Sequence, residues 1–345
     1  MSAARSAMSA RRRRHGAGVL VVGVVLLVLA FVVPENRVLL LNAFLAYGAL
    51  VVGLDLLVGD LRMMPAGHAA FFGAGGYATV LLYQKAGLPL PVAGVLAVLI
   101  VGLLAALIGL PAVGRSSGFS FAIITFAFGE LLIQLIANVP GFFGGSSGLT
   151  IDWGVGSDMP FDFSVYRYFT LWLVIVLVVV MLVVVLVRNS HLGLRMKAVR
   201  ADENGTRGLG FNPTTYKAIA FVLASMLAGL VGVFWAPMNG FISPDTLGVN
   251  QSILLLGMLI IGGVGRITGA LVGVVLLVTL PALFDMDPVL RTVLVGGLLA
   301  IVALLQPSGI VGGLAKLWTR LRRPRNPPPA DGAVDATLEP AGAGR

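Results

Sequence analysis

The amino-acid sequence predicts an all-α, polytopic transmembrane helical bundle with about ten spans and a cytoplasmic N-terminus. Of the 345 residues, 58% are hydrophobic and 11% are charged, whereas about a quarter of the residues in a soluble domain are charged. A single water-soluble core cannot bury that much apolar surface, so the chain is expected to fold in lipid. The basic residues also concentrate on one side of the predicted membrane, which sets the orientation.

Ten stretches of the chain meet the length of about 20 mostly apolar residues that a membrane-crossing helix needs. They are residues 16–33, 38–57, 64–83, 90–113, 118–138, 166–187, 216–238, 247–263, 267–284 and 291–307. The first stretch follows four arginines, as a signal peptide would, but no small-residue cleavage site follows Val33, so we expect an uncleaved span. The stretch 64–83 contains Pro65 and four glycines, and we expect a broken or re-entrant helix there.

The orientation follows from the Lys and Arg residues in the connections between these stretches. If the N-terminus is cytoplasmic and all ten stretches cross, 20 of the 24 Lys and Arg residues lie inside. The outside keeps four, namely Arg37, Lys85, Arg167 and Arg291. This positive-inside distribution explains the net charge of +9 without a nucleic-acid partner. Two re-entrant segments in place of two spans would leave the parity unchanged.

The membrane domain, residues 16–312, is flanked by two polar segments. Residues 1–15 form a basic cytoplasmic arm that anchors the topology. Residues 313–345 form a cytoplasmic tail that is basic at first and then rich in Pro, Ala and Gly, a composition typical of disorder.

Two loops of the membrane domain are long. Residues 139–165 form an extracytoplasmic loop rich in Gly and Ser, which is either a docking surface for a partner or a flexible solvated loop. Residues 188–215 form a charged cytoplasmic loop in which Leu194, Ala198 and Ala201 recur at helical spacing. This loop is either a functional helix on the membrane surface or a connector that sets the topology.

Motifs for catalysis are absent from the sequence. There is no cysteine, no G-x-x-x-x-G-K-[ST] phosphate loop and no H-E-x-x-H, so neither disulfides nor ATP hydrolysis on this chain is expected. The three histidines, His15, His68 and His191, are too scattered for a metal site. We therefore expect no metal and no cofactor on this chain, and a transport subunit rather than an enzyme, with a serine-based site left open by the sequence alone.

Few ionisable residues fall inside the predicted spans, where charge is costly and usually serves transport. Glu130 in the fifth span is either the proton site of a secondary carrier or a structural residue that pairs with a polar group such as Gln134. His68 either lines a pathway or is structural. Pro and Gly interrupt the apolar text at 64–67 and again at 235–240, and interrupted spans in the two halves of a chain indicate a transport site.

Six segments carry a resemblance to a known family. They are Gly67–Ala78, Gly118–Glu130, Gly144–Leu149, Arg195–Asn212, Gly262–Ala270 and Pro307–Gly312. In order along residues 40–312, they are similar to motifs of the LivM-type permeases of ATP-binding-cassette (ABC) importers for branched-chain amino acids. Urea and short-amide permeases share much of this pattern, so they remain an alternative. A proton-coupled carrier that uses Glu130 and a non-transporting membrane assembly protein are the rivals from other classes.

The resemblance implies a membrane subunit in the plasma (inner) membrane of a bacterium, working by alternating access. Its partners would be a second homologous permease chain, two cytoplasmic ABC ATPase subunits that hold ATP and Mg²⁺, and an extracytoplasmic substrate-binding protein. The permease domain would be residues 16–312, with 188–215 as its coupling loop. Within that loop Asn204, Gly205 and Thr206 depart from the usual alanines, and Gly205 weakens a helix by about 1 kcal/mol relative to Ala, which leaves the helix length open.

Three groups of residues are the candidate functional positions. For coupling to the ATPase we expect Ala198, Asp202, Glu203 and Gly210. For the translocation pathway we expect His68, Phe71, Gly73, Gly76, Thr125 and Glu130. For docking of the binding protein we expect Gly144, Gly145, Ser146 and Gly148.

Overall fold

A computed structural model describes residues 18–115, 118–151, 166–284, 287–305 and 309–314. The predicted N-terminal arm, residues 152–165 of the predicted outer loop, and nearly all of the predicted tail lie outside the described residues. The described part is almost entirely α-helical, with one pair of two-residue strands. The prediction of an all-α membrane bundle is therefore confirmed.

The described helices follow one another along the chain in a simple order. They are α1 Gly18–Val32, α2 Glu35–Leu61, α3 His68–Gln84, α4 Leu90–Arg115, α5 Gly118–Asn138, α6 Pro140–Phe143, α7 Tyr166–Arg188, α8 His191–Ala201, α9 Glu203–Gly208, α10 Pro213–Asn239, α11 Val249–Gly262, α12 Ile267–Val274, α13 Leu280–Leu283 and α14 Pro288–Leu305. A π-helical turn, Val275–Thr279, joins α12 to α13. Residues 309–314 are helical as well. Strand β1 (Leu149–Thr150) pairs antiparallel with β2 (Phe241–Ile242).

Helix length limits how many elements cross a bilayer. Among the described residues, five helices (α2, α4, α5, α7 and α10) are long and apolar enough to cross. The pair α11 and α12–α13 would make a sixth, and the chain bends by 118° between its two arms. Each of the ten predicted stretches contains a helix, but α3 has 17 residues and is about 26 Å long, shorter than a hydrocarbon core of about 30 Å.

Helix α2 lies at the centre of the bundle. Its residues from Leu45 to Leu61 are almost all buried, and it packs against α7, α10 and α12. Beside it, α3 packs against α10 so closely that Gly75 faces the backbone of Gly229, and Gly232 faces the carbonyl of Phe72. A Cβ atom at Gly75 or Gly232 would overlap those backbone atoms. Small residues at such contacts let helices approach in lipid, where no hydrophobic force brings them together.

The outer helices present apolar side chains to their surroundings. On α4, an exposed stripe recurs every three or four residues: Val95, Leu99, Leu103, Leu107 and Leu110. The opposite side of α4 buries Ala93, Ala97, Val101 and Ala105 against the bundle. Such a helix, with small residues inward and large apolar residues outward, is typical of a lipid-facing or subunit-facing position.

The hairpin of α11 and α12 turns at residues 263–266, where Gly263 and Gly265 both adopt positive φ angles. Helix 309–314 lies against this turn, because the backbone of Gly309 approaches that of Gly263 and the Arg266 guanidinium donates to the carbonyl of Val311 at 3.3 Å. The two arms are too sharply bent for one straight span. A broken span and a re-entrant hairpin, the alternative to two full crossings that the sequence allowed, both fit this shape.

Candidate functional site

The break between α2 and α3 is held by side chains from distant helices. The Thr125 hydroxyl of α5 accepts a hydrogen bond from the backbone amide of Ala66 at 3.1 Å. The Ser252 hydroxyl of α11 accepts one from the amide of Ala69 at 3.0 Å. Gly67 lies against the Thr125 carbonyl, with no room for a Cβ atom. The interrupted backbone is thus satisfied by protein groups, as a break at membrane depth requires.

His68 begins α3 at this break and is fully buried. Neither of its ring nitrogens has a hydrogen-bond partner among the described residues. A buried polar group without a partner costs about 1–3 kcal/mol, so such a group usually marks a site where water, an ion or a ligand binds at some stage.

The remaining predicted pathway residues do not all gather at His68. Phe71 lies in an aromatic cluster, with its ring centroid 5.3 Å from that of Phe128 and 5.3 Å from that of Phe221. Gly73 packs against Leu247, and Gly76 packs against Ile242, further toward the other end of α3. Glu130 is half-buried on α5 and makes no hydrogen bond or ion pair with the described residues; Gln134 instead accepts from Asn138 at 3.4 Å.

At the far end of α3, the loops form a small ordered cap. The predicted docking residues Gly144, Gly145 and Gly148 all adopt positive φ angles around a short 3-10 turn, and Ser146 is exposed on that turn. The turn leads directly into β1, and Lys85 reaches over it to donate to the carbonyls of Gly141 and Phe142 at 2.9 and 2.7 Å. Residues 139–151, which the Gly-rich text assigned to a flexible loop, therefore form regular structure. Asp152, Asp158 and Asp162 of that loop lie outside the described residues.

At the opposite end of the bundle, α8 and α9 form a segment that we call the α8–α9 segment, residues 191–210. The chain breaks between the two helices at Asp202, which has extended φ and ψ angles and caps α9 by accepting from the amide of Asn204 at 2.9 Å. A sequence-based expectation of a single short helix is thus corrected to two helices. The cause is the capping side chain of Asp202, which stabilises a new helix start.

The four predicted coupling residues all lie on this segment, in different settings. Ala198 is exposed on α8, and Asp202 occupies the break. Glu203 binds Lys217 of α10 at 2.6 Å and Arg207 at 3.4 Å, which ties α9 to the start of α10. Gly210 has a positive φ angle and ends the segment before Asn212 caps α10.

The α8–α9 segment exposes large apolar side chains. Leu194 is 67% exposed and Leu209 is 74% exposed, although both lie on a polar loop. The inner side of α8 buries Met196 and Val199 against the bundle. Leu194 and Leu209 therefore face away from the bundle.

A largely buried ion-pair group lies beside α8, formed by Asp55, Asp60 and Arg188. Together with Arg200 and Gly265, which hydrogen-bond to the same end of α2, we call it the α2–α7 network. Arg188, at the end of α7, binds Asp55 and Asp60 of α2, each at 2.7 Å. Asp55 is fully buried, and its second carboxylate oxygen accepts from the amide of Gly265 at 2.6 Å. Arg200 of α8 donates to the carbonyl of Gly59 on α2. The network therefore joins α2, α7, α8 and the α11–α12 turn.

This network was not predicted from the sequence. Asp55 lies near the end of the second predicted stretch, and Asp60 and Arg188 lie just beyond the ends of the second and sixth stretches. The one available signal was that two acids sit at the end of one span and an arginine at the end of another. Pairing between residues 128 and 133 positions apart cannot be inferred from a single sequence.

Comparison with known proteins identifies the family of this chain. The profile of one family, described as "Branched-chain amino acid transport system / permease component", matches residues 36–303. The chain belongs to this family. The resemblance inferred from motifs is thereby confirmed, and so are its assignments as a permease subunit of an ABC importer, a transport subunit rather than an enzyme, and a multi-pass membrane protein.

Individual relatives of this permease agree with the family. It is 29% identical over 320 residues to the LivM permease protein of the high-affinity branched-chain amino acid transport system of Escherichia coli (strain K12), covering 84% of this chain and 74% of the relative. It is 26% identical over 162 residues to the LivH permease of Salmonella typhimurium, covering 46% and 52%. It is 33% identical over 129 residues to the BraD permease of Pseudomonas aeruginosa, covering 36% and 41%. No solved structure matches.

Similarity to both LivM and LivH shows that two kinds of permease chain in this family share a common sequence. The profile covers the break before α3, the α2–α7 network and the α8–α9 segment, because all of them lie within residues 36–303. The two ends of this permease therefore differ in character: one carries an ordered glycine-rich cap, and the other carries a charged network beneath an exposed apolar surface.

Proposed function

We propose that this permease imports branched-chain amino acids by alternating access, driven by two ATPase subunits that bind the α8–α9 segment. The observation that carries the proposal is the construction of that segment. Its inner side is tied to α2 and α10 by Arg200 and Glu203, whereas its outer side exposes Leu194 and Leu209. A segment that is bonded to the bundle on one side and exposes apolar side chains on the other is suited to transmit the movement of a docked protein to the bundle.

The pathway we propose lies at the break before α3, between α3, α5 and α11. His68 supports this, because its buried imidazole has no partner among the described residues and would gain one from water or from the zwitterionic substrate in another state of the cycle. The hydroxyls of Thr125 and Ser252 accept hydrogen bonds from the neighbouring backbone and so fix its position beside His68. Glu130, half-buried on α5 without a described partner, remains a candidate pathway residue and the proton site of the alternative carrier.

The topology we propose places the α8–α9 segment in the cytoplasm. Ten membrane-embedded helices, with α11 and α12–α13 as one re-entrant or bent hairpin, keep the N-terminus cytoplasmic and 20 of the 24 Lys and Arg residues inside. The cap formed by residues 139–151 and 240–248 then faces outward, where Ser146 is exposed to a substrate-binding protein. A second permease chain would cover part of the apolar faces of α4 and α5.

Charge reversal at Asp202 and Glu203 tests the coupling role. The complex of this chain with its co-purifying subunits is reconstituted in liposomes, and ATP hydrolysis and leucine uptake are measured together. We expect the Asp202→Lys/Glu203→Lys variant to lose most uptake while ATP hydrolysis continues, because the ATPase no longer moves the bundle. Unchanged uptake in that variant would count against the coupling role.

Two matched variants separate a contact with the ATPase from local damage. Asp202→Asn keeps a good helix cap without the charge. Glu203→Lys combined with Lys217→Glu keeps the ion pair to α10 with its polarity exchanged. If Glu203 acts through the ATPase, the exchanged pair stays uncoupled; if it acts only by holding α9, the exchange restores uptake and the proposed contact is wrong.

Competition in the same liposomes tests the substrate. Leucine, isoleucine and valine are expected to compete for uptake, whereas excess urea or acetamide is expected to leave leucine uptake unchanged. Inhibition by urea or acetamide without inhibition by the amino acids would assign the permease to the short-amide class. Uptake that persists in ATP-free liposomes would instead support a secondary carrier.

A further inference from the structure

A basic pocket opens beside the α8–α9 segment, between the end of α7, the start of α8 and the α11–α12 turn. Its volume is about 600 Å³, within the range of about 300–1,000 Å³ that ligand pockets occupy. The residues that line it are Val185, Arg188, Asn189, Ser190, His191, Leu194, Lys197, Gly265, Arg266, Ile267 and Thr268. The pocket shares Leu194 with the proposed coupling surface and shares Arg188 and Gly265 with the α2–α7 network, whereas no residue of the proposed translocation pathway lines it.

The charge of the pocket is one-sided. Arg188, Lys197 and Arg266 line it, together with His191, and no acidic side chain does. Arg188 is matched by Asp55 and Asp60 behind the wall, but Lys197 has no described ion pair, and Arg266 donates only to the neutral carbonyl of Val311. The field inside the pocket is therefore set by Lys197 and Arg266, and it favours an anion.

Backbone dipoles add to that field. The first residues of α8 and of α12, His191 and Ile267, both line the pocket, so the positive ends of two helix dipoles lie beside it. The Ser190 hydroxyl is not available to a ligand as a donor, because it already donates to the carbonyl of Val187 at 2.7 Å.

The depth and the walls of the pocket distinguish a lipid from a soluble anion. Its lining includes Val185, in the last turn of the apolar helix α7, and Lys197 on the polar helix α8. The pocket thus lies where an apolar helix passes into a polar segment. Leu194 and Ile267 provide apolar surface beside the basic groups. A headgroup with attached acyl chains matches this combination, because basic pockets between membrane helices on the cytoplasmic side bind anionic headgroups.

We propose that this pocket binds the phosphate headgroup of one anionic phospholipid. Lys197 and Arg266 hold the phosphate, and Leu194 and Ile267 contact the first carbons of the acyl chains. The proposal relies on the proposed function only for the cytoplasmic placement of α8. Because α8 and the α11–α12 turn both contribute walls, an occupied pocket joins the α8–α9 segment to the hairpin through the lipid.

Native mass spectrometry of the detergent-purified chain, with whatever subunits co-purify, tests this binding directly. The probes are phosphatidylglycerol and phosphatidylcholine with identical acyl chains. We expect one phosphatidylglycerol to bind with higher affinity than any phosphatidylcholine. Each basic residue near an anionic lipid contributes about fivefold in affinity, so Lys197→Gln/Arg266→Gln should weaken that site by about 25-fold. Lys197→Gln alone, at an exposed position, should weaken it by about fivefold and guards against misfolding of the double variant.

The control variant Arg207→Gln removes one charge from the same segment outside the pocket, as Lys197→Gln does inside it, and it should bind the lipid within about twofold of the wild type. Equal loss in control and pocket variants, or no loss in either, would overturn the proposal. Competition by inorganic phosphate at concentrations equal to the lipid would assign the pocket to a soluble anion instead. Loss of the lipid whenever ATPase subunits are bound would assign it to ATPase docking. These results do not depend on uptake, so the lipid site and the transport role fail or stand separately.

Discussion

Replacing Arg188 by Met is expected to destabilise this permease more than any change at its surface charges. Arg188 contacts Asp55 and Asp60 at 2.7 Å each, and the side-chain exposures are 14% for the arginine and 0% and 7% for the acids. Methionine has a similar length but no charge, so the variant leaves two carboxylates buried side by side without a cation. Removing one partner of a buried pair costs about 3–5 kcal/mol, and the free energy of unfolding should fall by that amount.

The surface pair of Arg207 and Glu203 is the natural control. It is longer, at 3.4 Å, and more exposed, at 58% and 39%, so Arg207→Met should cost about 0.5 kcal/mol or less. Unfolding of both variants in mixed micelles with increasing denaturing detergent, followed by tryptophan fluorescence, gives the comparison.

A triple variant separates charge from packing. Combining Arg188→Met with Asp55→Asn and Asp60→Asn removes the uncompensated charges, while Asn at 55 can still accept from the amide of Gly265. The triple variant should recover much of the lost stability, since a neutral replacement for a buried ionic cluster is often tolerated. If Arg188→Met unfolds no more readily than Arg207→Met, or if the triple variant is the least stable, the reasoning about buried charge is wrong.

Two further predictions concern helix contacts. Gly232→Ala should prevent correct assembly, because its Cβ would overlap the Phe72 carbonyl, whereas Gly296→Ala meets nothing within 4 Å and should express normally; expression and size-exclusion profiles decide between them. Thr125→Val keeps the shape of the side chain but leaves the amide of Ala66 without its acceptor, and should cost about 1–3 kcal/mol in the same unfolding assay. A Thr125→Ser variant, which keeps the hydroxyl, is the matched control.

Local features of the fold could be predicted from the sequence because their causes are local. Apolar stretches of sufficient length gave the helices, and the Pro65 and glycine cluster gave the break before α3, since each depends on residues close along the chain. The α11–α12 hairpin was harder. Its two arms look like two ordinary spans in the text, and only the positive φ angles at Gly263 and Gly265 turn them by 118°.

Long-range polar contacts could not be predicted, because a single sequence carries no record of which charges meet. In the sequence, Asp55 is an acidic residue near the end of an apolar span with no evident partner. In the structure it pairs with Arg188, 133 residues away. The division at Asp202 was also missed, although its signal was present: an aspartate followed by Glu-Asn is typical of a helix start. Helical spacing on either side of it concealed the boundary.

The described contacts form one continuous route from the α8–α9 segment to the break before α3. Arg200 holds the carbonyl of Gly59, and Arg188 holds Asp55 and Asp60, so α8 and α7 both grip the last two turns of α2. Those turns lead without another element into residues 62–67, whose backbone rests on Thr125. Because α2 is a buried helix, these contacts connect the α8–α9 segment physically to the break before α3. Asp55 and Asp60 lie at the end of α2 that α7 and α8 contact, so one helix joins the proposed coupling segment to the proposed pathway.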